Sequence, residues 1–574
     1  MNLWNMVQYG VFLGLLTVFV KPTGLYLTRV FFGEATPLDR LLIPLERAIY
    51  WVAGVKRDQE MSWKQYAFSF VLFSFAGTLI LYMILRIQPL GHPADPAFRP
   101  APLSPDLAMN TAISFATTTT WQAYSGENTM SYVSQTVGLV AQNFLAGAAG
   151  LAVGVAFIRG IARQHSKTIG NFWVDLTRSI LWVLLPLSFI GTLILVWQGV
   201  PLNWHPYVSV TTLEGVKQTL PQGPVAALEF IKNLGTNGGG FFNANGAHPY
   251  ANPTPLTNFV GLLAISVLPA GLTYTFGRMT GHQRHGWLLF IVMVVLFGAG
   301  LLICNWAEQA GNPRLTAMGV NQTATATQPG GNMEGKETRF GIGASVLVAV
   351  TTSNGATGSV NSMHDSYAPL GGGVTIFNML LGEPIFGGLG TGIYSIVMFV
   401  LIAVFLGGLM IGRTPEYLGK TLNPVEMKLI AVYTIIGPLF VLPLTALALT
   451  THWGLAGLTT NTGPHGFSEI LTAYATSMAN NGQSFAGLTV SSAFYNATTA
   501  IAMTAGRYWL AIPALALAGQ FAAQGHRAES PGTLATDTPL FGGLVIAAML
   551  IIGGLSYFPA LAMGPIVEHL WLHP

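Results

Sequence analysis

Long apolar runs alternate with polar loops over the whole chain. A membrane-spanning helix needs roughly 20 mostly apolar residues. Ten runs of about this length are present, so we predict ten membrane-spanning helices. Their predicted positions are 4–28, 66–87, 133–160, 173–198, 257–278, 285–304, 391–412, 427–449, 496–522 and 540–560.

The composition supports a protein that crosses the membrane many times. Of the 574 residues, 51% are hydrophobic and only 8% are charged, whereas soluble proteins carry about 25% charged residues. The formal net charge of +3 is small. No basic patch is interleaved with aromatic residues, so the sequence gives no indication of nucleic-acid binding. The lipid bilayer is the expected surrounding.

Basic residues are concentrated in the odd-numbered loops, which predicts that these loops are cytoplasmic. With ten spans, both termini are then expected on the extracytoplasmic side. The basic residues are Arg29, Arg40, Arg47, Lys56, Arg57 and Lys64 in the first loop, Arg163 and Lys167 in the third, Arg278 and Arg284 in the fifth, Arg413, Lys420 and Lys428 in the seventh, and Arg527 in the ninth.

The even-numbered loops are longer and share one internal plan. Each has a moderately apolar segment of about 10–14 residues, which is too short to span and suits a re-entrant half-helix. A run rich in Thr, Ser, Asn and Gly follows it. The loops are 88–132, 199–256, 305–390 and 450–495, and their polar runs are 117–122, 236–240, 351–355 and 477–482. Gln122, Gly238, Gly355 and Gly482 recur 116, 117 and 127 residues apart.

This repetition predicts an all-α polytopic membrane protein with four pseudo-repeats around one central filter. Each repeat comprises a membrane helix, a re-entrant pore helix, a filter strand and a second membrane helix. The predicted divisions are 1–65 for the first helix and its cytoplasmic loop, 66–163, 164–281, 282–420 and 421–525 for the repeats, and 526–574 for the last helix.

The polar runs have the chemistry of a cation filter. Non-helical backbone survives at membrane depth only where protein or water covers it, and its carbonyls, with Thr and Ser hydroxyls, replace the hydration shell of a cation. A re-entrant helix that ends at the cavity directs the negative end of its dipole there. No filter position carries Asp or Glu. Neutral oxygens favour a monovalent, weakly hydrated ion such as potassium.

Several long motifs carry a family resemblance. They are 121–127 (WQAYSGE), 235–245 with His248 and Pro249, 333–341 (MEGKETRFG), 412–420 (GRTPEYLGK) and 480–482 (NNG). On these motifs the chain resembles, essentially from end to end, the KdpA family, the potassium-binding subunits of bacterial Kdp potassium-transporting ATPases. That family belongs to a superfamily of potassium transporters with four pseudo-repeats around one filter.

The resemblance implies a set of potassium-binding residues, one group from each repeat. These are Thr118, Thr119, Thr120 and Gln122; Thr236, Asn237 and Gly238; Ser353, Asn354 and Gly355; and Asn480, Asn481 and Gly482. The first repeat departs from the others because Gln122 stands where they have glycine. Thr118 and Thr120 also stand where some family members have Asn, which would tune selectivity.

The resemblance also implies the cellular location of the chain and its partner subunits. The chain would be a non-catalytic subunit in the bacterial inner membrane that passes potassium to a P-type ATPase subunit, KdpB, with KdpC and KdpF as further partners. It has no Asp-Lys-Thr-Gly phosphorylation motif, and no covalent cofactor is expected. Potassium is the transported ligand of this high-affinity uptake pump.

Three charges are candidates for the ion path. Arg507 lies in the ninth predicted span, where an ionisable residue is functional by default; the alternative is that it snorkels to the cytoplasmic edge. Glu383 lies in a Gly/Pro-rich stretch, 371–390, that reads as an interrupted helix and a gate; the alternative is an ordinary outer loop. Arg413 ends the seventh span and is either part of the path or only a topogenic charge.

Two other site types are not expected. The segment 330–336 nearly matches a phosphate-binding loop, but Glu337 stands where Ser or Thr would hold magnesium. His364 and Asp365 form an isolated pair without metal-ligand spacing, so no metal other than potassium is predicted.

Two rival functions remain open. One is a self-sufficient potassium channel or ion-coupled symporter of the same superfamily, which would share the filter. The other is an intramembrane enzyme acting on lipid, for which no nucleophile and base stand out.

Overall fold

The ten predicted spans are confirmed. The computed structural model describes residues 3–88, 98, 100–410, 412, 414–527 and 533–572. Within these ranges ten helices are long and apolar enough to cross a membrane. Spans 1 to 10 are Leu3–Phe32, Trp63–Ile87, Ser134–Ala162, Phe172–Trp197, Pro255–Thr280, Gln283–Ala317, Thr391–Met410, Pro424–Thr450, Ala493–Ala523 and Pro539–Leu572.

Local sequence signals fix where several spans begin. Span 2 follows a capping box in which Ser62 and Gln65 satisfy each other's backbone N–H groups, and span 5 follows a similar box at Thr254 with Pro255 in its first turn. Span 8 starts from Asn423, whose N–H donates to Glu426 at 3.0 Å. Such caps satisfy the N–H groups that a helix start leaves without an intrahelical acceptor.

A short helix precedes each of the four polar runs, as predicted. Pore helices 1 to 4 are Pro105–Ala116, Val225–Leu234, Gly341–Asn354 and Gly463–Met478. The first three have 12, 10 and 14 residues, and the fourth has 16, which is longer than the predicted 10–14. None reaches the roughly 20 residues that a membrane crossing needs.

The helix after pore helix 3 is interrupted, although the interruption is shorter than predicted. Pro369–Leu380 is helical, residues 381–390 are not, and span 7 continues from Thr391. The predicted break at 371–390 was therefore wrong over its first ten residues. We call residues 381–390 the break.

The remaining elements are short. They are the helices Asp39–Ala53, Gly126–Thr129, Asn245–Ala247, His364–Ser366 and His452–Leu455, and the strands Val208–Thr211, Lys217–Leu220, Glu416–Tyr417 and Lys420–Thr421. The first strand pair is antiparallel with Val208 opposite Leu220. The second is antiparallel with Glu416 opposite Thr421. Both strand pairs are hairpins in loops. All other secondary structure in the described ranges is helical.

Span 3 lies at the centre of the bundle. In the 18-residue apolar stretch of span 3, 83% of the residues are buried inside the protein, whereas the corresponding fractions are 22% for span 8 and 28% for span 1. The start of span 1 and the end of span 10 lie beside the starts of pore helices: Tyr9 donates to the carbonyl oxygen of Gly343 at 3.3 Å, and His465 contacts Glu568 at 2.8 Å. We call this side of the protein, where the pore helices begin, the filter face.

Candidate ion filter

Each pore helix ends in the same backbone turn. The second residue after the helix has a positive φ in all four repeats: Thr118 at 65°, Thr236 at 49°, Ala356 at 48° and Asn480 at 51°. A non-glycine residue in this region costs of order 1–3 kcal/mol and persists only where the surroundings fix it. The shared turn defines equivalent positions, and we call the residues 118–120, 236–238, 356–358 and 480–482 filter strands 1 to 4.

The four strands close into a ring. The Thr120 hydroxyl donates to the carbonyl oxygen of Asn237 at 2.7 Å, which joins strands 1 and 2. The Gly358 N–H donates to the same oxygen at 3.4 Å, which joins strands 3 and 2.

Glycine permits the closest approaches in the ring. A Cβ on Gly358 would lie 2.7 Å from the carbonyl carbon of Gly482, and a Cβ on Gly482 would overlap the carbonyl oxygen of Thr119. A Cβ on Gly238 would likewise overlap the N–H of Gly358. The contacts run from strand 2 to 3, 3 to 4 and 4 to 1, so the four repeats surround one axis in chain order.

The ring corrects the equivalence that we derived from glycine spacing. By the shared turn, the third strand positions are Thr120, Gly238, Gly358 and Gly482. Glycine spacing had predicted Gln122 in place of Thr120 and Gly355 in place of Gly358. Gln122 lies two residues beyond strand 1. Its Oε1 accepts from the Gly240 N–H at 2.8 Å, and its Nε2 donates to the Gly240 carbonyl at 3.1 Å, so it links the ends of strands 1 and 2.

In repeat 3 the predicted residues belong to the end of the pore helix. Ser353 and Asn354 form its last residues and Gly355 caps it, so strand 3 consists of Ala356, Thr357 and Gly358. None of these three residues was predicted from the sequence as part of the filter. A usable signal was present, because Thr357-Gly358 matches Asn237-Gly238 and Asn481-Gly482.

Bonds to the surrounding helices hold the strands. The Asn237 amide donates to the carbonyl of Asn143 in span 3 at 2.7 Å, and the Asn481 amide donates to the carbonyl of Thr352 at 2.8 Å. The Asn480 amide donates to the Thr119 hydroxyl at 3.0 Å. Such buried amide bonds fix the strand backbones, since a polar group buried without a partner is costly.

A buried charge pair supports strand 2 from behind. Lys232, fully buried, contacts Glu229 at 2.7 Å and donates to Asn245 Oδ1 at 2.6 Å. The Asn245 amide in turn donates to the Gly239 carbonyl at 2.5 Å. This chain of bonds runs from the pore helix to the outer end of the strand, so the motif 235–245 is a structural unit.

Arg507 lies inside the protein next to the inner end of the filter. It is 4% exposed, and it donates to the Ala146 carbonyl at 2.8 Å and to the Thr118 hydroxyl at 3.2 Å. The snorkelling alternative is therefore wrong. Thr118 is the first residue of strand 1, so the positive charge stands where the strand meets its pore helix.

The break also lies beside the filter, so the outer-loop alternative for Glu383 is wrong. Glu383 is 2% exposed, and the Leu389 N–H donates to the Thr236 hydroxyl at 2.7 Å. A Cβ on Gly150 in span 3 would lie 2.5 Å from the Leu389 carbonyl oxygen and 3.2 Å from Arg507 Nη2. The break and Arg507 thus meet at one point of span 3. Arg413 lies outside the described residues.

The glycine-rich segment 330–336 is a structural support. Lys336 makes a fully buried ion pair with Glu308 at 2.7 Å and lies 4.2 Å from the centre of the Tyr367 ring. Asn332 donates to Glu308 at 2.9 Å. The lysine that a phosphate-binding loop would present to its ligand is therefore already paired.

Comparisons with known proteins agree with this architecture. A family model described as "Potassium-transporting ATPase A subunit" (KdpA) matches residues 10–570. A relative from Methylobacterium nodulans is 52% identical over 99% of this chain and 98% of its own length. Another, from Mesorhizobium japonicum, is 50% identical over 99% of both chains. Both are named potassium-transporting ATPase potassium-binding subunit.

A solved structure has the same fold. The potassium transporter TrkH from Vibrio parahaemolyticus matches 88% of this chain and 95% of its own, with a TM-score of 0.51 and 13% identity. At this identity the likeness concerns the fold alone. The family model and the relatives, by contrast, span nearly the whole sequence, and the chain therefore belongs to the KdpA family of potassium-transporting ATPase A subunits.

Proposed function

We propose that the chain is the potassium-binding and translocating subunit of an ATP-driven, high-affinity potassium uptake pump. The observation that carries the proposal is the closed ring of four strands without a carboxylate. Neutral oxygens held at fixed spacing suit a weakly hydrated monovalent cation. The names of the relatives support potassium as that cation.

The proposed potassium site follows the strands. Repeats 1, 2 and 4 contribute the residues expected from the sequence, namely Thr118, Thr119, Thr120, Thr236, Asn237, Gly238, Asn480, Asn481 and Gly482. Repeat 3 contributes Ala356, Thr357 and Gly358. Ser353, Asn354 and Gly355 act at the pore-helix end, where the negative end of the helix dipole favours a cation. Gln122 holds strands 1 and 2 together.

The proposed path continues sideways. Arg507, close to Thr118, opposes straight passage of a cation below the filter by charge repulsion. Glu383 lies in the break nearby and is the proposed gate residue. Arg413 would contribute to the same path at the end of span 7. The division of the chain into repeats at 66–163, 164–281, 282–420 and 421–525 belongs to this proposal.

The chain would act within a larger complex in the bacterial inner membrane. A P-type ATPase subunit, KdpB, would hydrolyse ATP and receive the ion, with KdpC and KdpF as further subunits. The filter face, with both termini, would be extracytoplasmic, because the opposite loops carry the basic residues. A self-sufficient channel or symporter is less favoured, since the relatives are named as ATPase subunits. No described feature favours a lipid-acting enzyme.

Liposomes that contain only the purified chain test this function. We expect no sustained potassium flux down a gradient, while potassium still protects the chain against thermal unfolding because ligand binding stabilises the folded state. Selective flux through the chain alone would favour the self-sufficient channel. Absence of both flux and potassium protection would contradict the filter.

A further inference from the structure

Four ionisable side chains from three parts of the chain meet on the filter face. Asp365 follows filter strand 3, His465 and Glu469 lie in the first turns of pore helix 4, and Glu568 lies near the end of span 10. One ligand atom each of Asp365, His465 and Glu469 lie within 4.8 Å of one another. We call these four residues the outer cluster. It lies in the first two turns of a 16-residue helix, about 14–20 Å from the filter end of that helix at 1.5 Å per residue.

His465 is oriented from both sides. Its Nδ1 lies 2.8 Å from Glu568 Oε1, and its Nε2 lies 3.1 Å from Asp365 Oδ1. Without a metal, each nitrogen lies at hydrogen-bond distance from a carboxylate and can donate a proton to it. A metal ion at Nε2 would displace the proton there, because a ligating imidazole must be neutral. A carboxylate behind the imidazole is the usual support of a metal-ligating histidine, because it fixes the tautomer and the ring orientation.

Glu469 belongs to the same group of ligand atoms, and one of its two oxygens has no hydrogen-bond donor among the described residues. Its side chain is 1% exposed. Its Oε1 accepts from the Asn461 amide at 2.8 Å, whereas its Oε2 accepts no hydrogen bond from the described part of the chain. A buried carboxylate oxygen without a partner is costly, so this atom points to a ligand that supplies positive charge.

Gly487 makes room for these oxygens. A Cβ on this residue would lie 2.6 Å from Asp365 Oδ2 and 2.6 Å from the Thr460 hydroxyl, and it would also overlap Glu469 Oε1. Three oxygens therefore crowd around a bare Cα, and any larger residue would fill the space between them.

The charges at the outer cluster do not balance. Three carboxylates surround one imidazole, so the cluster keeps an excess of negative charge even when His465 is protonated. Arg314 and Glu334 line the adjoining cavity and offset each other, and Lys336 is already paired with Glu308. The cavity, of about 500 Å³, is lined by Asp365, His465 and Glu568 and connects the cluster to solvent.

We propose that the outer cluster binds a divalent transition-metal ion of the Zn²⁺ class through Asp365, His465 Nε2 and Glu469. Mixed nitrogen and carboxylate ligands suit zinc, whereas Ca²⁺ and Mg²⁺ prefer oxygen alone. In a tetrahedral zinc site the ligand atoms lie about 3.3 Å apart, so small side-chain rotations are sufficient. Glu568 and Asn461 support the ligands, and water from the cavity takes the fourth position. The ion would link repeat 3, pore helix 4 and span 10.

Zinc titration of the untagged, full-length chain tests the site. The protein is first stripped of metal with a chelator, and the chelator is then removed. Titration calorimetry is expected to show one saturable zinc site per chain, and scanning calorimetry a higher unfolding temperature with zinc bound. His465→Gln is expected to weaken zinc binding at least 100-fold. Glu568→Gln is expected to weaken it about tenfold, as for other supporting carboxylates. His452→Gln, at an exposed histidine outside the cluster, serves as the matched control and is expected to leave the affinity unchanged.

A second readout separates ligand loss from misfolding. X-ray absorption at the zinc edge is expected to report one imidazole nitrogen among oxygen ligands in the parent protein. Each variant is kept only if potassium still protects it against unfolding. The proposal is overturned if the parent binds no stoichiometric zinc, or if His465→Gln and Glu469→Gln variants that retain potassium protection bind zinc as tightly as the parent.

Discussion

Two glycine-rich, non-helical segments are buried next to each other in this protein, and they are held very differently. In filter strand 2 the Asn237 N–H bonds to its own pore helix and the Asn237 carbonyl accepts from two neighbouring strands. In the break, Glu383 and Phe386 adopt positive φ values of 63° and 46°, and Glu383 Oε1 has no partner among the described residues.

This difference indicates that the two segments have different roles, ion selection for the filter and control of ion passage for the break. A segment bonded on all sides keeps its oxygens at fixed distances, which selection between ions requires. Both segments contain residues with a strained positive φ, and strain of this kind concentrates at functional sites. The break differs in its buried carboxylate without a partner, which is typical of a switch. We therefore expect changes in the filter to alter which ion binds, and changes in the break to alter how fast it passes.

The largest effect is expected from Gly238→Asp. The residue has a φ of 104°, its Cβ would overlap Gly358, and the carboxylate adds charge to a neutral ring. Displacing Gly358 disturbs the spacing of the ring oxygens on which the preference for potassium depends. A loss of about 2 kcal/mol in that preference corresponds to roughly a 30-fold fall in potassium affinity relative to sodium. The rise in unfolding temperature with increasing potassium or sodium gives the dissociation constant of each ion, and the ratio of the two constants measures the selectivity.

Gly215→Asp is the matched control, because Gly215 also has a positive φ, 81°, lies exposed in the loop between the first two strands, and a Cβ at that position meets nothing within 4 Å. A Gly238→Asp protein that still prefers potassium over sodium as strongly as the parent would show that the ring does not select the ion.

Glu383→Gln is expected to slow transport by roughly tenfold, the effect of about 1.4 kcal/mol on a rate barrier. Potassium selectivity should stay within about threefold of the parent, since the side chain is in the break and not in the ring. The measurement is ATP-driven potassium uptake by the whole complex, with equilibrium binding in parallel. Loss of selectivity without loss of rate would reverse the assignment of the two segments.

Thr120→Val is expected to weaken potassium binding about fivefold. It removes the 2.7 Å bond to the Asn237 carbonyl, and a buried hydrogen bond contributes about 1 kcal/mol. Thr17→Val removes a hydroxyl that bonds only within an exposed part of span 1, and it should leave binding unchanged. Equal effects of the two substitutions would mean that the bond between strands 1 and 2 has no role in the site.

The last prediction concerns the stability of the fold and not ion binding. Burial, with the nearby charge of Arg339, lowers the pKa of His248 to about 4. The imidazole stacks on the Phe242 ring, with the two ring centroids 3.8 Å apart. The unfolded chain then binds more protons than the folded one between pH 6.5 and 4, so stability falls as the pH drops through this window, by at most about 1.4 kcal/mol per pH unit. His248→Asn should flatten the unfolding temperature over this range. An unchanged slope would place the acid sensitivity elsewhere.

Much of the fold was predictable because it depends on local signals. Apolar length gave the ten spans, and repetition gave four pore helices. The register of strand 3 was not predictable from glycine spacing, because polar residues extended the helix. The Ser353 hydroxyl and the Asn354 amide bond back to the Val350 carbonyl at 3.3 and 2.9 Å, so a Thr-Thr-Ser-Asn run that resembles a strand completes a helical turn.

Features that depend on distant parts of the chain were beyond the sequence. Asp365 and His465 are 100 residues apart, and Glu568 is a further 103 from His465, so no spacing pattern marks the outer cluster. The contacts between filter strands are similar, because Thr120 and Asn237 are 117 residues apart and only the folded chain shows that they are bonded.

Anomalous scattering from rubidium or thallium, soaked into the crystallised complex in place of potassium, tests the filter most directly. We predict an ion on the axis of the ring, in contact with backbone oxygens from all four strands, including Ala356, Thr357 or Gly358 in repeat 3. An ion held instead by the side chains of Ser353 and Asn354, or one outside the ring altogether, would contradict this account.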